Sequence, residues 1–147
     1  MGKKVVLKEG YAPSEKEEYM CAEQLEYFTQ KLKAWKTELN RELGDTLNHL
    51  KEENWQESDL ADRATVETDT GLELRTRDRY RKLVNKIDRA LERIGRGEYG
   101  YCEETGEEIG LRRLEARPIA TLTVEAQERH ERDERTHYDE DMEERAN

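Results

Sequence analysis

Residues 25–50, LEYFTQKLKAWKTELNRELGDTLNHL, carry apolar side chains at intervals of three and four residues, and so do residues 80–94, YRKLVNKIDRALERI. This spacing places the apolar side chains along one narrow stripe of a helix, as in coiled coils. In the first stretch they are Leu25, Phe28, Leu32, Trp35 and Leu39, followed after a one-residue slip by Leu43, Leu47 and Leu50; in the second they are Tyr80, Leu83, Ile87, Leu91 and Ile94. The pattern predicts two long helices that share a seam.

The seam pattern stops between these helices, at residues 52–61, EENWQESDLA. We expect a tip here, where Ser58 or Asp59 caps the second helix with a side-chain oxygen. One short connection requires the two helices to run antiparallel. Two helices of about 33 to 37 residues form a hairpin about 50 Å long, at about 1.5 Å per residue.

Local signals set the limits of the expected segments. Ser14 followed by Glu17 forms a capping-box pattern, which predicts that the first helix starts at Ser14, and Gly95 and Gly97 end the second helix. The predicted fold class is mainly α, a long antiparallel coiled-coil hairpin with a small zinc-finger-like knuckle and a C-terminal helix. The expected segments are a flexible N-terminal arm (1–13), the coiled coil (14–96) with its tip near 53–64, the knuckle (97–124), and the C-terminal helix and tail (125–147).

The composition excludes several classes of protein. The chain is 33% hydrophobic and 42% charged, too little apolar surface for a large globular core but enough for a helical seam. The net charge of −10 disfavours binding to a DNA backbone over most of the surface. The two cysteines form no disulfide framework, and no long apolar run or secretion signal is present, so we expect a cytoplasmic protein without a membrane segment.

The knuckle sequence at residues 97–122, GEYGYCEETGEEIGLRRLEARPIATL, alternates short β-like runs with glycines. Thr105 and Gly106 indicate a turn, and Ile109 and Leu111 are expected to form a return strand. The residues expected to hold this segment together by packing are Tyr99, Tyr101, Ile109, Leu111, Leu114, Ile119, Leu122 and Val124.

Three motifs together resemble the DksA/TraR family of bacterial transcription regulators. The knuckle is similar to the family's zinc finger through the pattern I-x-x-x-R-L-x-A-x-P, here Ile109 to Pro118. Residues 72–94, LELRTRDRYRKLVNKIDRALERI, resemble the family's second coiled-coil helix, and residues 59–65, DLADRAT, match the D-x-x-D-x-A pattern of its tip. The matches occur in one order over about residues 15–140.

The chain departs from this family at the zinc ligands. The four zinc cysteines of the family correspond here to Cys102, Thr105, Thr123 and Ala126. A structural zinc needs four N, S or carboxylate ligands, so one thiolate is too few, and we expect no zinc. Glu103, Glu104 or His130 could substitute, but their spacing does not require it. For Cys102 itself, the two neighbouring glutamates predict a raised thiol pKa and an inert side chain.

The resemblance implies functional residues in three places. Asp59, Asp62 and Ala64 would lie near the active centre of RNA polymerase, although acids at a helix start also serve as caps. Arg79 would contact the rim of the polymerase secondary channel. The residues that would bind ppGpp are Leu83, Lys86 and Arg117, and a further family lysine of that surface is Gln127 here.

The function that the resemblance implies is non-catalytic. The protein would be a monomer that enters the secondary channel of RNA polymerase and, with ppGpp, modulates initiation at ribosomal RNA promoters in the stringent response. Three alternatives stay open. They are a Gre-like transcript-cleavage or elongation factor, a zinc-dependent binding module, and a coiled-coil scaffold.

Overall fold

The protein is mainly helical in a computed structural model. The structure describes residues 4–53 and 60–146, with the side chains among them except those of residues 50–67. The described chain forms four helices: α1 (Ala22–Glu53), α2 (Leu60–Arg96), α3 (Leu111–Ala116) and α4 (Val124–Ala146). It divides into two compact units. One, the coiled-coil unit, is Phe28–Glu92; the other, the knuckle unit, combines Met1–Tyr27 with Arg93–Asn147.

The coiled-coil unit is an antiparallel pair of helices, as the heptads and the short connection between them predict. Lys36 Nζ on α1 lies 2.6 Å from Asp88 Oδ1 on α2, and His49 Nδ1 lies 2.8 Å from Glu73 Oε1. From the first pair to the second, the residue number rises along α1 and falls along α2, so the helices run in opposite directions. The most buried residues of this seam are Phe28, Leu32, Leu39, Ile87 and Ala90. These are positions of the predicted apolar stripes, except for Ala90.

Helix α1 begins at Ala22, so the prediction of a start at Ser14 is wrong. The contacts of the predicted capping box are present in part, because Glu17 Oε1 accepts a hydrogen bond from the Ser14 N–H at 2.9 Å. The turn does not continue into a helix because Met20 has a φ of 54°, in the left-handed region. Buried Gln24 in the first turn of α1 instead holds the preceding segment, because its Oε1 accepts a hydrogen bond from the Met20 N–H at 2.9 Å and its Nε2 donates to the Ser14 carbonyl at 3.2 Å.

The segment before α1 is fastened to the knuckle by Tyr19. Its hydroxyl donates to the Gly100 carbonyl at 2.6 Å and accepts from the Gly110 N–H at 3.0 Å. A Cβ at Gly100, where φ is +91°, would lie 2.8 Å from two side-chain atoms of Met20. Glycine is therefore needed at position 100 for both its conformation and this close approach.

The knuckle contains less regular secondary structure than predicted. Among the described residues its only β pairing is an isolated bridge between Tyr101 and Glu108, and Leu111 begins α3 rather than a return strand. Tyr99, Ile109, Leu114 and Ile119 are buried as expected, whereas Val124 is 46% exposed, so its assignment to the knuckle core is wrong. The buried Tyr99 hydroxyl donates to the Pro118 carbonyl at 2.7 Å.

Within the described part of the chain, no helix is both long enough and apolar enough to cross a membrane.

Candidate functional site

Asp59 lies outside the described residues. Asp62 and Ala64 belong to the first turns of α2, and only their backbone is described. Their proximity to each other along the helix follows from the sequence, and their roles stay predictions.

Further along α2, the predicted polymerase and ppGpp residues have defined surroundings. Arg79 is exposed, and its guanidinium carbon lies 5.5 Å from the centre of the Tyr80 ring, a cation–π distance. Lys86 is exposed and Leu83, three residues earlier, is half-buried. Since residues three apart are neighbours on a helix surface, Leu83 and Lys86 form one continuous patch.

The other two residues of the predicted ppGpp surface belong to the knuckle unit. Arg117 follows α3 with an exposed side chain, and its backbone N–H donates to the Arg113 carbonyl at 2.7 Å, which closes the helix. Gln127 on α4 donates from Nε2 to Glu131 Oε1 at 3.2 Å. Its amide is therefore already engaged on its own helix.

The four degenerate zinc positions come together as the centre of the knuckle. Cys102, Thr123 and Ala126 are buried, and the Thr123 hydroxyl lies 4.0 Å from Cys102 Sγ. The same hydroxyl accepts a hydrogen bond from the Ala126 N–H at 3.2 Å, so Thr123 caps α4. Thr105 is exposed at the turn, where its hydroxyl accepts from the Glu107 N–H at 3.3 Å. Thr105, Thr123 and Ala126 thus place two hydroxyls and a methyl group where the family has three zinc-binding thiolates.

The thiol of Cys102 contradicts the sequence-based prediction of a raised pKa. Burial opposes its ionisation, but hydrogen bonds from the Thr105 hydroxyl and from the backbone N–H groups of Thr123, Thr105 and Glu104 outweigh burial and lower the pKa of Cys102 to about 7. The prediction failed because it considered the charges of neighbouring glutamates and not the N–H groups that the turn directs at sulfur. Glu103 is in fact engaged elsewhere, by Arg93 at 2.5 Å.

The residues at this centre do not fit a zinc ion. One thiol remains, the Thr123 hydroxyl is used as a helix cap, and Ala126 offers no donor atom. Of the residues that could have substituted, Glu104 and His130 form an ion pair with each other. Over the described ranges 4–53 and 60–146, no group of three or more His, Cys, Asp or Glu side chains is placed to hold a metal.

The fold defines a structural class, an antiparallel coiled-coil hairpin with a small finger-like knuckle built from the segments that flank it in sequence. Comparison with known proteins specifies the family. Residues 24–94 match the family described as "DnaK suppressor protein DksA, N-terminal domain", and residues 97–132 match the "Prokaryotic dksA/traR C4-type zinc finger". The chain belongs to the DksA family.

Individual relatives support this assignment. The chain is 64% identical to the "RNA polymerase-binding transcription factor DksA" of Caulobacter vibrioides over 92% of its own length and 95% of the relative's. It is 44% identical to the Escherichia coli protein of the same description, covering 80% and 78% of the two chains. The solved structure of transcription factor DksA2 from Pseudomonas aeruginosa has 45% identity and a TM-score of 0.74, covering 80% of this chain and 90% of that one.

Proposed function

We propose that this protein binds bacterial RNA polymerase and regulates transcription initiation by inserting its coiled coil into the secondary channel. The observation that carries the proposal is the 64% identity over 92% of the chain to a relative described as an RNA polymerase-binding transcription factor. The antiparallel pairing of α1 and α2 supports it, because a slender hairpin is the shape that a narrow channel admits.

The tip would act through Asp59, Asp62 and Ala64. The two carboxylates would oppose basic groups of the polymerase. The small side chain of Ala64 would permit a close approach. The bound factor would then shift the balance between promoter complexes by the difference in its affinity for them.

The ligand ppGpp would strengthen this effect by bridging factor and polymerase at Leu83, Lys86 and Arg117, with Arg79 at the channel rim. Cationic side chains bind phosphates through charge-assisted hydrogen bonds. A coupling of about 1–3 kcal/mol corresponds to a change in output of about 5- to 150-fold. Because Gln127 is neutral and already bonded to Glu131, we expect weaker ppGpp binding than a lysine at that position would give.

The protein is proposed to be a cytoplasmic monomer without catalytic activity, zinc or sequence-specific DNA binding. The absence of zinc is supported by the chemistry of the knuckle centre, where the one thiol receives hydrogen bonds and the neighbouring hydroxyl caps a helix.

The test measures open-complex lifetime and initiation at a ribosomal RNA promoter, with and without ppGpp. Asp62→Asn should bind polymerase like the wild type but lose the effect on lifetime. Asp69→Asn, which removes a carboxylate from an exposed position of the same helix, serves as the control and should behave like the wild type. Equal behaviour of Asp62→Asn and the wild type would remove the tip mechanism, and cleavage of transcripts in stalled complexes would favour a Gre-like activity.

A further inference from the structure

Buried side chains are confined to one half of the coiled-coil unit. On α1 the last buried residue is Leu39, and on α2 the first is Ile87, among the residues whose side chains are described. The other residues of this unit with described side chains on the tip side, 40–49 of α1 and 68–86 of α2, are called the distal half, and none of them is buried. Because apolar burial is the main force that holds two helices together, the distal half is paired more weakly than the rest of the hairpin.

The seam of α2 changes from apolar to polar in the distal half. Counted back from Ile87 at alternating intervals of three and four residues, the seam positions are Val84, Tyr80, Arg77, Glu73 and Thr70, and all five are half-buried. The two leucines of this stretch flank Glu73 instead, and both are exposed, Leu72 by 52% and Leu74 by 46%. Charged side chains therefore occupy positions at which a coiled coil needs apolar ones.

Glu73 and Arg77 are not fully compensated for the water that they lose at the seam. Glu73 Oε1 contacts His49 Nδ1 on α1 at 2.8 Å. Glu73 Oε2 and Arg77 Nε are buried atoms without a hydrogen-bond partner among the described residues. Buried polar atoms without partners destabilise a folded state, and both atoms would be hydrated if the two helices separated. The polar seam therefore opposes the closed state of the distal half.

Glycines weaken both helices in the same half of the hairpin. Gly44 on α1 and Gly71 on α2 each lie inside a helix, where glycine is among the least favourable residues. A Cβ at either position would meet no atom within 4 Å, so no close approach requires glycine there. Weak helices and a weak seam thus coincide in the distal half.

We propose that the distal half opens and closes independently in the free protein, while the rest of the hairpin stays paired, and that it is closed when RNA polymerase is bound. Phe28, Leu32 and Ile87 are fully buried and hold the other half. Segments with few buried apolar contacts are those that open locally in proteins. The coupling to polymerase rests on the proposed function, because the predicted tip joins the two helices of the distal half. A partner that binds only the closed form binds more weakly in proportion to the fraction of molecules that are open.

Hydrogen exchange of the free, full-length protein at increasing urea concentration measures the opening residue by residue. In the wild type we expect the amides of Leu47 and Arg77 to exchange about 100-fold faster than those of Leu32 and Ile87, with a smaller dependence on urea. Equal exchange rates and equal urea dependence in the two halves would overturn the proposal. This measurement needs no polymerase, so its result is independent of the proposed function.

Two pairs of variants test the causes of the opening. Gly44→Ala combined with Gly71→Ala should slow exchange of the distal amides about 20-fold, because alanine is the stronger helix former. Gly95→Ala, at a glycine of α2 that lies outside the distal half and has equally open surroundings, should change their exchange by less than about twofold. Arg77→Leu places leucine in the seam and should slow distal exchange about tenfold, whereas Arg81→Leu at an exposed position should not. Leucine and arginine have similar helix propensities, so the second pair isolates the seam. Distal exchange that neither glycine nor seam variants slow would contradict the proposal.

The affinity for RNA polymerase tests the coupling. The variant with both Gly44→Ala and Gly71→Ala should bind about threefold more tightly than the wild type, because a larger fraction of it is closed, and Gly95→Ala should bind like the wild type. Slowed exchange with an unchanged affinity would overturn the coupling. A wild type whose distal half opens in exchange experiments but which binds no polymerase would overturn the proposed function, and the opening of the free protein would still be supported.

Discussion

Replacing Thr123 by valine tests whether the centre of the knuckle has become a hydrogen-bonded structural site. Valine keeps the shape of the side chain but removes the hydroxyl that accepts from the Ala126 N–H at 3.2 Å and faces Cys102 Sγ at 4.0 Å. Thr123 is 5% exposed, so water cannot easily replace the lost partner. Losing a helix cap costs about 1 kcal/mol, and leaving a buried N–H unpaired costs about 1–3 kcal/mol.

We therefore expect Thr123→Val to lower the free energy of unfolding by about 2 kcal/mol, or Tm by roughly 4–8 °C in a protein of this size. Thermal and urea unfolding followed by circular dichroism measure this, and hydrogen exchange of the Ala126 amide reports the cap directly. The control is Thr136→Val on α4, where an exposed hydroxyl donates to the Arg132 carbonyl at 3.0 Å. If the two variants differ by less than about 0.5 kcal/mol, the size usual for surface substitutions, the reasoning is refuted.

Three further outcomes follow from the same contacts. The thiolate of Cys102 should form with a midpoint near pH 7, measured by its ultraviolet absorbance, and Thr105→Val should raise that midpoint. Because the pKa is lowered from its usual value of 9.0, the contribution of the thiolate to stability should be full above about pH 9 and should be lost as the pH falls to about 7. A midpoint near 9 would contradict this. The triple variant Thr105→Cys, Thr123→Cys and Ala126→Cys should bind about one zinc per chain, measured by elemental analysis, whereas Thr105→Cys alone should bind none. The reason is that adjacent zinc-bound sulfurs lie about 3.8 Å apart, close to the present distance between the Thr123 hydroxyl and Cys102 Sγ. A hydrogen bond from the Ser14 backbone N–H lowers the pKa of Glu17. The difference in Tm between the wild type and Glu17→Gln should therefore be present at pH 6 and fade as the pH falls below the usual carboxyl range. A difference in Tm that does not change with pH would argue against a lowered pKa.

The coiled coil could be predicted from the sequence because its signal repeats. Phe28, Leu32 and Ile87 are fully buried, and each was a position of the predicted heptads. Periodicity over many residues averages out local exceptions, such as the weak helix former Gly44. The antiparallel direction followed from the short connection alone, and the cross-helix ion pairs agree with it.

The knuckle and the start of α1 could not be predicted as well, because single contacts decide them. The chain just before α1 is held by Gln24, a residue whose burial no periodic pattern indicates. Ser14 with Glu17 fits the capping-box pattern in the sequence, although the helix begins eight residues later, at Ala22. The pKa of Cys102 likewise depends on N–H groups that a turn directs at sulfur, which charge counting does not include.

The chemistry of the centre also explains how a finger-like knuckle can persist without three of the family's four cysteines. In the family's zinc-finger pattern the metal would join the two ends of the segment, whereas here Thr123 and Cys102 are close enough to join them by packing and hydrogen bonding. Tyr99 adds a buried link to the Pro118 carbonyl. The stability of the knuckle should then be independent of a chelator.

The hydrogen bond from Tyr19 to the Gly100 carbonyl joins residues 81 positions apart, and this has a consequence for how the chain matures on the ribosome. At about 5–20 residues per second, the first turns of the polypeptide emerge several seconds before the glycine that anchors them. During that interval α1 and α2 can already begin to pair, because their cross-helix contacts, such as that between Lys36 and Asp88, join residues nearer in sequence. The bond between Tyr19 and Gly100 would therefore form after the pairing of the two helices has begun, and Tyr19 would stay accessible to proteases until then.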